Sequence, residues 1–170
     1  MTKPFYMEEN KPFPNNHFPI LYYPGGVDHL MDAEDPGQAV KNLFETNNYS
    51  NSWINGIFAY HHFHSNTHEV LACISGEASV QLGGPSDENQ SVYTFKKGDV
   101  LLLPAGTGHK RINASADFQI VGAYPEGKEH DLQKGQAENY AAIKARVADV
   151  PIPKTDPVYG TTDGIFEYWV

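Results

Sequence analysis

The sequence predicts an all-β domain, a sandwich or barrel, with a short helix on either side of the sheet-forming core. Three observations carry this reading. Between residues 52 and 123, seven segments of strand length alternate with short stretches of turn chemistry. Helical periodicity is confined to two places, within "DPGQAVKNLFETNN" and near Gln136 to Ala148. No internal repeat or low-complexity segment divides the 170 residues, so one domain is expected over 1–170.

Residues 1–51 form an N-terminal arm and helix. The arm is rich in proline, asparagine and aromatics ("FPNNHFPILYYPGG") and holds one short strand around Ile20 to Tyr23. It is suited to reach a neighbouring copy. In the helix, Asp35 suits the N-cap and Pro36 the first helical position, and Ala39, Val40, Leu43 and Phe44 share a face. Residues 52–123 form the core, with strands expected at "WINGIFAYHHFH", "EVLACIS", "EASVQL", "VYTF", "DVLLLP", "HKRIN" and "DFQIVGAY". The turns between them are "SNT", "GGPSDENQ", "KKG" and "AGTG". Residues 124–170 supply a C-terminal helix, with Tyr140, Ile143 and Val147 on one face, and a proline-punctuated tail that folds back onto the body.

Composition narrows the function. Hydrophobic residues make up 40% and charged ones 19%, as in a globular protein. A formal charge of −9 argues against nucleic acid or an anionic membrane as partner. No apolar run approaches the roughly 20 residues that span a bilayer. The start, "MTKPFYMEENKPF", lacks the apolar core of a signal peptide. Cys73 is the only cysteine, so no disulfide forms within the chain. A cytoplasmic location is expected.

The stretch "HHFHSNTHE" packs four of the eight histidines into residues 61–69. On a strand, side chains alternate, so His62 and His64 point one way and His61 and Phe63 the other. An HxH pair thus delivers two imidazoles to one point. Glu69 opens the next strand and can face them. His109, past the glycine-rich turn "AGTG", is the fourth candidate ligand.

Here the sequence resembles the cupins. Their first motif is a glycine, five residues, HxH, three or four residues, glutamate, six residues and glycine. Gly56, His62, His64, Glu69 and Gly76 reproduce it. Their second motif is a glycine, five residues, PxG, two residues, histidine, three residues and asparagine. Gly98, Pro104, Gly106, His109 and Asn113 reproduce that too. The resemblance implies a cupin double-stranded β-helix, a jelly-roll barrel, with the metal ligands His62, His64, Glu69 and His109. It also implies a homodimer. The chain is further similar to the YjlB-like bacterial single-domain cupins at "PNN" (14–16), "SWINGI" (52–57), "HHFHS", "HEVL", "VQLGG", "PAGTGHK", "GAYPEG" and "DPVYG".

His68 is an alternative third ligand, at a spacing that some all-histidine cupins use. Only Glu69 lies six intervening residues from Gly76. Both remain open on the sequence, as does a barrel whose histidines hold no metal. Three imidazoles and a carboxylate suit one divalent first-row ion, Fe, Mn, Ni, Cu, Co or Zn, rather than the oxygen-loving Mg or Ca. A dication with one carboxylate leaves about +1, which favours a small anionic, oxygen-ligating substrate. The resulting expectation is a small-molecule metalloenzyme of dioxygenase or oxidoreductase type. A metal-dependent isomerase or lyase and a non-catalytic ligand-binding or sensing cupin are the alternatives.

Other residues flank the ligands. Arg111 and Asn113 share His109's face if "HKRIN" is a regular strand; Arg111 is either a substrate clamp or one half of a rim salt bridge. Tyr60 shares the face of His62, and Cys73 that of Glu69, so both are pocket candidates or core residues. His61 and His68 are candidate proton shuttles or ordinary structural imidazoles. Tyr159 is a candidate for reaching the barrel mouth with the tail. Trp53 and Trp169 read as packing residues. No catalytic residue is assigned.

Overall fold

The computed structural model describes residues 1–86 and 91–170. The expected turn "GGPSDENQ" is seen only through Ser86, and residues 87–90 lie outside the described residues. The strands are β1 (Lys3–Phe5), β2 (Ile20–Tyr23), β3 (Tyr49–Asn55), β4 (Glu69–Ser75), β5 (Glu77–Leu82), β6 (Val92–Lys96), β7 (Val100–Leu103), β8 (His109–Ala114) and β9 (Gln119–Pro125). They form a six-stranded sheet, β1-β2-β7-β4-β9-β3, facing a three-stranded sheet, β6-β5-β8. Every pairing is antiparallel. This is the expected jelly-roll architecture of a cupin-type fold.

Why "EVLACIS" and "DVLLLP" read as nearly unbroken apolar runs is now evident. Strands β4 and β7 lie in the middle of the larger sheet and are covered on both faces. Leu71, Cys73 and Leu101 point between the sheets and pack with Val80, Leu82, Phe95 and Ile120. Val70, Ala72, Val100 and Leu102 point outward, where a second core includes Val40, Phe44, Ile165 and Trp169.

That outer layer is built by helix α1 (Pro36–Thr46) and by the tail, which ends in helix α3 (Ile165–Tyr168). The Asp35 side chain accepts from the Gln38 N–H at 3.2 Å and Pro36 starts the helix, so the expected cap holds. Helix α2 (Tyr140–Ala148) buries Tyr140, Ile143 and Val147, as its periodicity implied. The tail is fixed by Asp156, which accepts from the Tyr23 hydroxyl at 2.6 Å and from the N–H groups of Val158, Tyr159 and Ile165 at 3.0 Å. Trp169 is buried and stacks on Phe18. The arm adds two strands to the larger sheet, β2 pairing with β7 and β1 with β2. No helix among the described residues is long and apolar enough to cross a membrane.

Two expectations need correction. "WINGIFAYHHFH" is not one strand. Strand β3 stops at Asn55, whose side chain takes the Gly56 N–H at 2.9 Å and so removes it from the ladder. The histidine segment beyond is extended but irregular. It is held by isolated bridges of His62 to His109 and Phe63 to Gln133. Tyr159 is absent from the cavity lining; it lies exposed beside Tyr23 on the outer side of the larger sheet, because Asp156 pins the tail there.

Candidate metal centre

Although His62 and His64 sit outside a regular strand, alternation still sets their direction. His62 exchanges backbone hydrogen bonds with His109 (3.2 and 2.9 Å), and the His64 carbonyl accepts from Gly106 N–H at 2.8 Å. The segment therefore runs beside β8 and its approach, bringing three histidines to one end of the barrel. Gly106 makes the turn before His109 with φ +85°; a β-carbon there would lie 2.7 Å from the Asn15 carbonyl. Ligand atoms of His62, His64 and His109 lie within 4.8 Å of one another, and all three residues are buried.

The tautomers follow from their partners. Nδ1 of His62 meets the Tyr60 carbonyl at 2.9 Å, and that of His109 meets the Thr107 carbonyl at 3.0 Å. Nδ1 of His64 meets the Asp131 carbonyl. A carbonyl only accepts, so each Nδ1 carries the proton and each neutral ring presents an Nε2 lone pair. Glu69, buried at the start of β4, places Oε1 3.4 Å from His64 Nε2 and 3.5 Å from His109 Nε2.

Lone pairs facing a carboxylate repel unless a cation stands among them. The protein alone can answer only with protons. Burial would raise the Glu69 carboxyl, but the His64 and His109 imidazoles hold it well below its usual range. Burial likewise opposes charge on His64, yet Glu69 raises it. His62, lacking such a partner, is pushed down to about 3 by burial and by His109. This donor set fits a divalent first-row ion: three convergent imidazole nitrogens, their other nitrogens anchored, and an adjoining anionic oxygen.

His68 is resolved as a structural residue. Its Nδ1 accepts from Ala105 N–H at 2.9 Å and its Nε2 donates to the Pro151 carbonyl at 3.0 Å. The ring lies against Trp169 in the outer layer, on the opposite face of the chain from Glu69. Both nitrogens are spent, so it is neither ligand nor shuttle. His61 also points away, edge-on to Phe13.

The four candidate ligands border a cavity of about 420 Å³. Arg111 lines it; Asn113 and Cys73 do not. A bulge at Ile112 explains Asn113: Val80 pairs with Arg111, but Ser79 pairs with Asn113, so one extra residue reverses the alternation and Asn113 is exposed. Cys73 shares the inward face of Glu69 but lies deep in the core between the sheets. There its thiol donates to the Ser75 carbonyl, and burial raises it to about 12. Tyr60 lies at the border rather than in the lining. It stacks on Phe58 and supplies the carbonyl that orients His62.

Sequence reasoning missed four contributors, Trp53, Tyr124, His130 and Asp131. Trp53 lines the cavity, and its indole N–H donates at 2.8 Å to the Tyr124 hydroxyl, which stands beside Glu69. Gly122 allows this, because a β-carbon there would fall 2.2 Å from the Trp53 ring. His130 also lines the cavity, stacked on Tyr124 at 4.7 Å and edge-on to His64 at 4.9 Å. Asp131, next to it, is the hub of a strap. Its carboxylate accepts from the Ser65 N–H at 2.6 Å and from Gln133 at 2.9 Å, and pairs with Arg146 at 3.5 Å. Nothing in the segment "GKEHDLQ" signals this; its histidine alone was a hint.

The family model and the sequence relative agree with the two motifs. The Cupin domain family model matches residues 55–122. Across 170 residues the chain is 34% identical to "Uncharacterized protein YjlB" of Bacillus subtilis (strain 168), covering 99% of this chain and 97% of that one. Among solved structures, acireductone dioxygenase from Bacillus anthracis, with a cadmium ion in its active centre, is 14% identical over 65% of this chain and 80% of that one, at a TM-score of 0.40. Procruciferin, an 11S globulin from Brassica napus, is 19% identical over 49% of this chain, at a TM-score of 0.37. The chain matches 21% of that globulin's length. The chain belongs to the cupin family, as a YjlB-like cupin.

Proposed function

We propose that this cupin is a metalloenzyme of dioxygenase or oxidoreductase type acting on a small anionic substrate that binds through oxygen. One observation carries the reading: three Nε2 lone pairs converge, with Glu69 Oε1 3.4 and 3.5 Å from two of them, in the lining of a cavity large enough for a small molecule. When bound, a divalent first-row ion would supply Lewis acidity and, for the redox-active metals, electron transfer. His62, His64 and His109 hold it, with the Tyr60, Asp131 and Thr107 carbonyls fixing their rings. Glu69 cancels one of its two charges and leaves about +1, which favours an anionic oxygen over a neutral one. Trp53, Ile57, Leu71 and Ile120 line the cavity with apolar surface that limits water.

Oxidative chemistry is favoured over a sugar-phosphate isomerase because the cavity lining holds a single Lys or Arg, Arg111. Screening small enols, catechols and hydroxy acids for oxygen uptake tests this. Uptake with one class, abolished in His109→Ala, supports it; a metal-loaded protein that turns over an isomerase substrate without oxygen would replace it. The lone cysteine supports a cytoplasmic setting. The homodimer rests on the family resemblance, and light scattering at micromolar concentration checks it.

A further inference from the structure

The cavity has a second pole that the metal chemistry does not use. Arg111 is half-buried in its lining, and its guanidinium has no ion pair or hydrogen bond among the described residues. The rim salt bridge that would make it structural is thus missing there. The backbone N–H of Arg111 donates to the Phe58 carbonyl at 2.9 Å, which fixes the strand there, and Nη1 lies over Gly56, 4.0 Å from where a β-carbon would be. Beside it, Asn55 also lines the cavity. Its side-chain oxygen is taken by the Gly56 N–H, which leaves the amide nitrogen as a donor. The apolar lining of the same cavity is Trp53, Ile57, Phe58, Leu71 and Ile120.

We infer that the substrate is a monocarboxylate with an apolar or aromatic body, its carboxylate held by Arg111 and its reacting oxygen at the histidine end. A planar guanidinium matches a carboxylate through two parallel hydrogen bonds, and in apolar surroundings such a pair is strong. With the charge at the histidine end matched to the reacting oxygen, Arg111 alone balances one negative charge; a phosphate dianion held by it would keep an uncompensated charge, since Arg111 is the only Lys or Arg in this lining. Walls of this kind favour hydrocarbon over a polyhydroxylated chain. The inference rests on the proposed function only in putting the reactive oxygen at the metal end; the carboxylate pole stands without it.

The test is titration calorimetry of the full-length protein as purified, with benzoate, benzamide and inorganic phosphate as probes. Fluorescence of Trp53 serves as the local reporter, Trp169 being remote in the outer layer. Benzoate is expected to bind saturably and at least tenfold more tightly than benzamide, and phosphate is expected not to displace it at equal concentration. Arg111→Gln should weaken benzoate at least tenfold and leave benzamide unchanged, with Arg111→Lys intermediate. Repeating the titration after chelation separates the two readings. Benzoate binding that survives chelation but not Arg111→Gln upholds the carboxylate pole, even if the protein proves to hold no metal. Binding lost on chelation yet intact in Arg111→Gln would put the carboxylate at the metal and overturn the inference. Equal affinity for benzamide, displacement by phosphate, or no saturable response would also overturn it.

Discussion

Glu69 and Asp156 are both carboxylates shut away from solvent, one at the histidine end of the barrel and the other under the tail. Asp156 is surrounded by donors: a tyrosine hydroxyl and three backbone N–H groups. Those donors are uncharged, so burial dominates and the Asp156 carboxyl is raised. Glu69 has imidazole nitrogens that can complete its shell only by taking up a proton or a cation, and attraction to His64 and His109 in that state holds it well below the usual carboxylate range. A finished hydrogen-bond shell marks a structural carboxylate. An unfinished one, facing acceptors, marks a group awaiting a cation.

The largest expected effect lies at the finished shell. Asp156→Ala orphans four donors and should lower the unfolding free energy by about 4 kcal/mol. For a chain of this length that is roughly 10 °C in Tm. Metal content per folded chain should not change, which calorimetry with elemental analysis would check. Glu69→Gln should do the reverse. Metal affinity should fall by more than the ~100-fold that loss of an outer partner can cost, while the chelated variant unfolds no more easily than the chelated parent. Equal effects of both substitutions on stability and metal would erase the distinction between the two sites.

A smaller effect is expected one step out from the ligands. Asp131→Ala frees the strap whose carbonyl anchors His64, and metal affinity should drop by about tenfold in a competition titration with a chromophoric chelator. The last is a pH effect and concerns His68, which resembles the ligands in sequence and Asp156 in its completed bonding. Burial lowers it to about 4. The unfolded chain takes up this proton below about pH 6.5 and the folded chain only near pH 4. Its contribution to stability is therefore complete above 6.5 and is lost as pH falls through that window, at up to about 1.4 kcal/mol per pH unit. An NMR titration of the chelated protein should show the His68 ring resonance flat down to about pH 4; a midpoint near 6.5 would contradict the bonding assigned to it.

Much of the site was legible because its determinants are local. Two glycine-framed motifs, each within about twenty residues, fix which side chains leave the chain and in which direction. The strands β4 to β9 were likewise marked by short apolar runs and turn residues. What stayed hidden depends on features without a short-range signal. The bulge at Ile112 turned Asn113 outward, and the register of β5 against β8, not the motif, decides that. Depth along the barrel, rather than face, removed Cys73 from the site. His130 and Asp131 come from an aperiodic segment that acquires meaning only by crossing residues 63–66. The choice between His68 and Glu69 needed the chain's partners: Pro151 and Ala105 claim one, the imidazoles the other.

The central claim is that the three histidines and Glu69 hold a metal, and elemental analysis of the untagged purified protein beside His62→Ala tests it most directly. The account predicts close to one equivalent of iron, manganese, nickel, copper, cobalt or zinc in the parent and its loss in a variant that remains folded. A parent that stays metal-free after reconstitution with each of these ions would contradict it.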